Sequence, residues 1–386
     1  MLNSIDLFSG IGGFALALEG YCKPLLYCDN SNHAQSQLRA AMTKGTLPRA
    51  PIVSDVRDRQ AIRDVIGSRT VHVLTSGWPC VGWSRSGAHK GLGNEYSALF
   101  HDLMKVVRSV RPGILFFENV SEIMSANDGD DLRFVLGTIQ RAGYSTIRWS
   151  VCTAAEAGAP QVRRRWFCLG VRKGYDPPPF RTSTVRQDPW AAGTAPAIIV
   201  PHLARNARRF SLLGNAIVPQ AARRAFLRMF SGFSIQPVSD SMQHYKSETD
   251  GGRHTDRVHV KCRHGQFAHG RVQQFTMPKC PPPRSMTIIV DPSWYRTNAP
   301  YRKNKSRGVA TPVTSRITLD LWPTPRATLA THSHNLSVRT VQDLPTTAMY
   351  AAKVDGRIQP RTRDGQGINP EFVEWLMGYP NGHTAF

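Results

Sequence analysis

From residue 4 to residue 171, short apolar runs that stop at glycine, aspartate or proline alternate with stretches of helical periodicity, and this alternation narrows the possible folds most. Residues 4–8 form the first run, which ends in Gly10-Ile11-Gly12-Gly13, and an apolar helical stretch follows to Leu18. Residues 25–28, 51–53, 71–75 and 114–117 are four further strand candidates, the first two ending at Asp29 and Asp55. Leu99, Leu103, Val106, Val107 and Val110 recur at three- and four-residue spacing, which predicts a helix over residues 97–110. Residues 130–141 carry the same spacing, and residues 144–151 and 165–171 are β-rich. Parallel strands need a crossover, and a helix is the usual one. The alternation therefore predicts an α/β fold: a mostly parallel sheet flanked by helices, with ligands at the carboxyl ends of its strands.

The pattern changes along the chain. Residues 174–201 are proline-rich and read as loop; residues 215–230 read as one helix, entered through Leu212-Leu213-Gly214. After residue 234, polar residues, histidines and prolines dominate, and no long periodic helix is expected until residues 370–377. A boundary there divides the chain into residues 1–233 and an irregular, loop- and β-rich region, residues 234–386, with a C-terminal helix. Some disorder is expected between about residues 236 and 285. Two domains suit 386 residues at about 150 residues per domain. No apolar run approaches the roughly 20 residues of a membrane span, and no positively charged lead-in precedes the first strand, so neither a span nor a targeting peptide is expected. Seven scattered cysteines, an odd number, make no disulfide framework and suit a reducing cytoplasm.

Charge points to the partner. Lys and Arg number 49 against 27 Asp and Glu, a formal net charge of +22. The sequence pI near 10.3 exceeds the value of about 9 that marks nucleic-acid binders. Residues 234–386 hold 20 basic and 11 acidic residues, and the first 233 hold 29 and 16, so both parts are expected to face a polyanion.

Four constellations carry the chemistry. Asp6-Leu7-Phe8-Ser9-Gly10-Ile11-Gly12-Gly13-Phe14 places glycines after a strand, and Asp29 stands nineteen positions after Gly10, at the end of the next strand. This is either a tight strand–helix turn or a loop that admits a ligand, with a carboxylate placed for ribose hydroxyls. The full G-x-G-x-x-G is missing, which favours an adenosyl ligand over NAD. Gly77-Trp78-Pro79-Cys80-Val81-Gly82-Trp83-Ser84 puts a cysteine at a strand end, either buried and inert or poised as a nucleophile. Phe116-Phe117-Glu118-Asn119-Val120 ends an apolar strand in a glutamate, either paired or desolvated enough to hold a proton near neutrality. Gln161-Val162-Arg163-Arg164-Arg165 opens the last strand, with Arg163 and Arg165 on one face. That face is either a general basic patch or a clamp on an oxygen.

In order and wording these blocks resemble the cytosine-5 DNA methyltransferase family, in its phage and prophage form, and Gly214-Asn215-Ala216-Ile217-Val218-Pro219 is similar to that family's last block. Asp55-Val56 and Ser97-Ala98-Leu99-Phe100 are weaker matches. The resemblance covers residues 1–230. It implies a Rossmann-like domain that binds S-adenosylmethionine and acts on double-stranded DNA as a monomer, with no metal and no membrane. It implies Cys80, Glu118, Arg163 and Arg165 as catalytic residues. It implies Phe8, Gly10, Ile11, Gly12, Asp29, Asp55, Leu99 and Asn215 as cofactor-binding residues, with Asp29 on the ribose and Asp55 on the adenine amino group. Ser84 and Ser86 are implied on the DNA, Ser86 filling part of the gap left by a flipped base. An RNA cytosine methyltransferase and an inactive DNA-binding regulator share the same blocks.

Two departures stand out. Val81 and Trp83 occupy positions where the family usually has Gln and Phe. The interval 166–213, where the family places its recognition region, is under fifty residues. Target reading is therefore expected in residues 234–386, with Arg302, Lys303, Lys305 and Arg307 as a phosphate-contacting loop. Leu321-Trp322-Pro323-Thr324-Pro325 and residues 369–380 resemble segments of phage and prophage members, the second standing in for the family's ninth block.

Overall fold

In a computed structural model of the chain, the described residues are 1–79, 95–161, 163–180, 189–191, 193–196, 199–201, 206–230, 264–268, 271–275, 286–289, 316–319, 325 and 366–385. Seven strands make the central sheet: β1 (Leu2–Leu7), β2 (Cys22–Cys28), β3 (Ile52–Val53), β4 (Val73–Ser76), β5 (Ile114–Val120), β6 (Tyr144–Thr153) and β7 (Arg164–Arg172). They stand in the order β6-β7-β5-β4-β1-β2-β3. β1 pairs in parallel with β2 and β4, β2 with β3, and β4 with β5. β7 runs antiparallel between β5 and β6, because the link from β6 is too short for a crossover helix. Helices α1 (Gly13–Ala17), α2 (Asn32–Thr43), α3 (Arg59–Ile66), α4 (Glu95–Val110) and α5 (Asp130–Arg141) connect the strands. The architecture is Rossmann-like, as the alternation predicted. Every residue of β5 is buried, as a strand covered on both faces must be.

Two helices escaped the periodicity argument. Both α2 and α3 are polar on average, yet each starts at a capping residue. Ser31 Oγ accepts from the Ala34 amide, and the Asp58 carboxylate accepts from the Ala61 amide.

Two expectations need correction. Residues 206–230 form two helices, α6 (Asn206–Asn215) and α7 (Pro219–Phe230). Pro219 disfavours helical geometry at Val218 and suits the first position of a new helix, so the chain breaks over residues 216–218. Within residues 236–285, where disorder was expected, strands β9 (His264–Ala268) and β10 (Arg271–Phe275) form an antiparallel pair. β9 also pairs with β6 and so extends the central sheet to nine strands. Further along, β8 (Ile199–Pro201) pairs with β13 (Gln366–Ile368), and β11 (Met286–Ile289) with β12 (Arg316–Leu319).

The last helix, α8 (Pro370–Leu376), packs onto the amino-terminal unit. Asn369 caps it, accepting from the Glu371 amide, with Pro370 at the first position. Phe372, Val373, Trp375, Leu376, Met377 and Tyr379 share a buried cluster with Ile11, Trp190, Phe210, Leu213 and Val218. The buried Glu374 carboxylate is satisfied by Arg209 Nη2 (2.8 Å) and by the Gly382 and Thr384 amides (2.6 Å each). Among the described residues no helix is long and apolar enough to cross a membrane.

Candidate active site

The site collects at the carboxyl ends of β1, β2, β4 and β5. After β1 the backbone enters the left-handed region at Phe8 (φ 56°), Gly10 (φ 55°) and Gly12 (φ 81°). Glycine occupies that region without strain; Phe8 does not, and costs about 1–2 kcal/mol there. Asp29 fixes the loop: its Oδ2 accepts from the Gly10 amide (2.8 Å) and its Oδ1 from the Ser31 amide (2.9 Å). Burial pushes the Asp29 carboxyl up, and the two amides hold it down. A Cβ at Gly10 would meet nothing within 4 Å among the described residues. A Cβ at Gly12 would overlap the Leu47 side chain.

Of the other residues expected around the cofactor, Ile11 is buried beside α8, Leu99 is half-buried against the core, and Asn215 ends α6 exposed. The Asp55 carboxylate already holds Arg57, through both its backbone amide (2.8 Å) and its guanidinium (Nη2 at 3.0 Å). That pairing holds Asp55 below the usual carboxylate range.

Asp6 is a functional candidate that the sequence argument quoted but gave no role. It is 2% exposed; Thr75 Oγ1 donates to its Oδ1 (2.7 Å), and its Oδ2 has no partner among the described residues. Burial pushes its carboxyl up to about 7, against the Thr75 bond, and the nearby Asp29 adds to the rise. An unfolded aspartate ionises near pH 4 (roughly 3.9). Between pH 4 and 7 the folded state therefore holds a proton that the unfolded state has lost, so stability falls as pH rises through that window. Asp6→Asn removes this slope. The difference in unfolding free energy between variant and wild type is expected to move in the variant's favour by up to about 4 kcal/mol from pH 4 to pH 8. Urea unfolding at the two pH values checks it; a constant difference would place the proton elsewhere.

Glu118 lies on β5, two strands from Asp6, and the arginines lie at the start of β7, the next strand. Glu118 is 9% exposed, and Arg165 Nε lies 2.9 Å from its Oε1. β5 and β7 pair Val120 with Arg165, which sets Arg165 diagonally across from Glu118. Burial pushes the Glu118 carboxyl up, while Arg165 and then Arg163 hold it down. Arg163 is 3% exposed and donates to the carbonyls of Ala216 (2.6 Å), Gly214 (2.9 Å) and Pro325 (3.1 Å). The two arginines thus take different acceptors within the protein.

Cys80, Ser84 and Ser86 lie outside the described residues, but the chain leading to them does not. A Cβ at Gly77 would sit 3.1 Å from Glu118 Oε2. Asn119 Nδ2 donates to the Trp78 carbonyl (3.3 Å), and the Trp78 ring packs on Phe100, Phe117 and Trp166. The root of the cysteine loop is therefore pinned against the Glu-Asn pair. The described cysteines are poor nucleophiles: burial pushes Cys22 and Cys28 up to about 12, Cys152 to about 11, and Cys168 upward as well. Arg302, Lys303, Lys305 and Arg307 lie outside the described residues. Among the described residues no cluster of His, Cys, Asp and Glu could hold a metal ion.

The carboxyl-terminal segment closes on the glycine loop, an approach the sequence did not reveal. Tyr379 Oη donates to the Ile217 carbonyl (3.0 Å), and a Cβ at Gly13 would fall 2.5 Å from the Tyr379 hydroxyl. His383 Nε2 donates to the Ile11 carbonyl (2.9 Å), and Gln37 Nε2 donates to the His383 carbonyl. These acceptors are backbone carbonyls, which leave no trace in residue type.

The residues fit an adenosyl cofactor: a left-handed glycine turn, Asp29 beside it, and an oxygen of Asp6 with no partner among the described residues. The model for "C-5 cytosine-specific DNA methylase" matches residues 2–198. Type II methyltransferase M.CviJI of Paramecium bursaria Chlorella virus IL3A is 25% identical over 395 residues, covering 100% of this chain and 98% of that protein. Type II methyltransferase M.HhaI of Haemophilus parahaemolyticus is 31% identical over 196 residues, 48% of this chain and 56% of that protein. Among solved structures, a putative DNA modification methyltransferase encoded within an E. coli prophage aligns at 24% identity with a TM-score of 0.38, over 45% of this chain and 47% of that one. The chain spans about half the length of M.HhaI and of the prophage protein.

Proposed function

Given that the chain belongs to the C-5 cytosine-specific DNA methylase family, we propose that it methylates carbon 5 of a cytosine flipped out of duplex DNA, through a covalent adduct at Cys80. The observation that carries this reading is the buried Glu118–Arg165 pair with the root of the Cys80 loop pinned beside it. S-adenosylmethionine, when bound, supplies the methyl group as an electrophile.

The chain's residues do the rest. The Cys80 thiolate adds to carbon 6 of the ring, which breaks its aromaticity and makes carbon 5 nucleophilic. Glu118, whose proton burial favours, shares that proton with N3 and limits the negative charge on the ring. Arg165 holds the base's O2 while it orients Glu118. After methylation, loss of the carbon 5 proton expels the Cys80 thiolate and restores the ring. The target base must first leave the stack, at a cost of a few kcal/mol. Ser84 and Ser86 would contact the DNA, Ser86 filling part of the gap left by the flipped base.

Asp29, Phe8, Gly10, Ile11, Gly12, Asp55, Leu99 and Asn215 would hold the cofactor, Asp29 taking ribose hydroxyls with the lone pairs its two amides leave open. Asp29→Ala is expected to weaken S-adenosylmethionine binding by about 1–3 kcal/mol in calorimetry, the scale of a charge-assisted hydrogen bond. Unchanged affinity would place the ribose elsewhere.

Residues 1–233 carry the chemistry in this reading, and the region from residue 234 reads the target, except that residues 369–385 serve the first unit. Neutralising Arg302, Lys303, Lys305 and Arg307 is expected to weaken binding to every DNA sequence alike. It should flatten the log–log salt dependence by up to about 0.9 for each phosphate that is no longer neutralised. An unchanged slope would remove these residues from the DNA. The role that suits such an enzyme is modification of DNA in a restriction–modification or phage self-protection setting, acting as a monomer. Labelled-methyl transfer to duplex DNA and to tRNA, side by side, tests the substrate. Transfer to DNA alone is expected. Transfer to tRNA alone would make it an RNA enzyme, and cofactor binding without transfer would make it a regulator.

A further inference from the structure

At the head of β7, Gln161, Arg163 and Arg165 each hold a different part of the molecule. Gln161, fully buried, donates through Nε2 to the Leu376 carbonyl at the end of α8 (2.7 Å). Arg163 reaches the Gly214 and Ala216 carbonyls between α6 and α7, and the Pro325 carbonyl in the tail. Arg165 pairs with Glu118. Arg164, between the last two, is exposed. One short stretch therefore joins the C-terminal helix, the Gly-Asn block, the tail and the catalytic carboxylate.

We infer that Arg163 is a positioning residue that ties Pro325, in the region proposed to read DNA, to the Glu118–Arg165 pair, so that target reading and base chemistry share one strand. This rests on the methyltransferase reading above. A buried guanidinium needs its acceptors: without one of them, part of a cation goes unsolvated, a cost of several kcal/mol that the strand would relieve by moving. Arg163 stands two residues from Arg165 and close enough to Glu118 to act on its carboxyl, so such a movement reaches the pair directly. Pro325 lies in the Leu321–Pro325 run, inside the region proposed to read DNA. Loss of the Pro325 contact would remove an acceptor from Arg163. Lysine cannot replace the arginine, because a point charge on a flexible stem does not fork across three carbonyls.

The test uses the full chain as Arg163→Lys, Pro325→Gly and the double variant. Pro325→Gly keeps the carbonyl but loosens the backbone that presents it. Each single variant is expected to lower kcat on the target duplex by about ten- to a hundredfold, the scale of one or two charge-assisted hydrogen bonds, with S-adenosylmethionine affinity near wild type. The double variant should be no worse than the weaker single, because both break one link. Full activity and an unaltered pH profile in Arg163→Lys would overturn the inference and leave only a direct charge effect on Glu118. Multiplying losses in the double variant, or a loss confined to cofactor affinity, would overturn it too. Deuterium uptake by peptides covering residues 214–216 and residue 325 reads the clamp without turnover. Both should exchange faster in Arg163→Lys, and unchanged uptake would refute the clamp. A wild type that transfers no methyl group to DNA would instead refute the methyltransferase reading.

Discussion

Cys80→Ala is expected to lose methyl transfer by more than about ten-thousandfold, the scale seen when a covalent nucleophile is removed, while keeping its fold and its affinity for S-adenosylmethionine. The loss follows from the chemistry: without addition at carbon 6, carbon 5 stays part of an aromatic ring and does not attack a methyl group. The fold should survive because the loop is anchored upstream, by Asn119 on the Trp78 carbonyl and by the Trp78 ring among Phe100, Phe117 and Trp166. Cofactor affinity should survive because the glycine loop is held by Asp29 and by the C-terminal segment. Single-turnover transfer to duplex DNA and a calorimetric cofactor titration measure the two halves. Near-normal turnover in this variant would refute the covalent route.

Removing residues 369–386 is expected to unfold the amino-terminal unit, not merely to relax target choice. The deletion strips out Phe372, Val373, Trp375, Leu376, Met377 and Tyr379, none more than 3% exposed. At roughly 1.5–3 kcal/mol for each buried apolar side chain, the loss matches the whole stability of a typical domain, about 5–15 kcal/mol. It also frees the Ile11 and Ile217 carbonyls and leaves Arg209 without Glu374. A chain ending at residue 233 should share this defect. Thermal unfolding should show no cooperative transition, and calorimetry no cofactor binding. A cooperative, cofactor-binding chain of residues 1–233 would show that α8 only decorates the fold.

The alternation of strands and helices made the sheet legible, because buried parallel strands and amphipathic helices differ in period. Helix α5 runs over Asp130–Arg141, where the spacing placed it. Polar helices such as α2 and α3 hid from a test based on apolar spacing, although Ser31 and Asp58 mark their starts. The break at Pro219 is legible in the residue itself, but the apolar pattern around it favours a single helix. In the site, the glycine turn and Asp29 follow from residue type and spacing, whereas the partner of Glu118 is set by the register of β5 and β7. The docking of α8 and the contacts of Arg163 with the Gly214, Ala216 and Pro325 carbonyls do not follow from residue type or register. They depend on backbone carbonyls brought together across 51 and 162 positions of sequence separation. The family blocks likewise named Asp55 for the adenine, without foretelling that Arg57 already holds its carboxylate.

The central claim is a covalent bond between Cys80 and cytosine, and a duplex carrying 5-fluorocytosine at the methylated position tests it most directly. Fluorine replaces the carbon 5 proton whose loss would free the enzyme, so after methyl transfer the sulfur–carbon 6 bond persists. With S-adenosylmethionine present, the account predicts a denaturation-resistant protein–DNA adduct, mapped by peptide mass analysis to Cys80 and missing in Cys80→Ala. Methylation of ordinary cytosine with no adduct on the fluorinated duplex, or an adduct on any other residue, would contradict it.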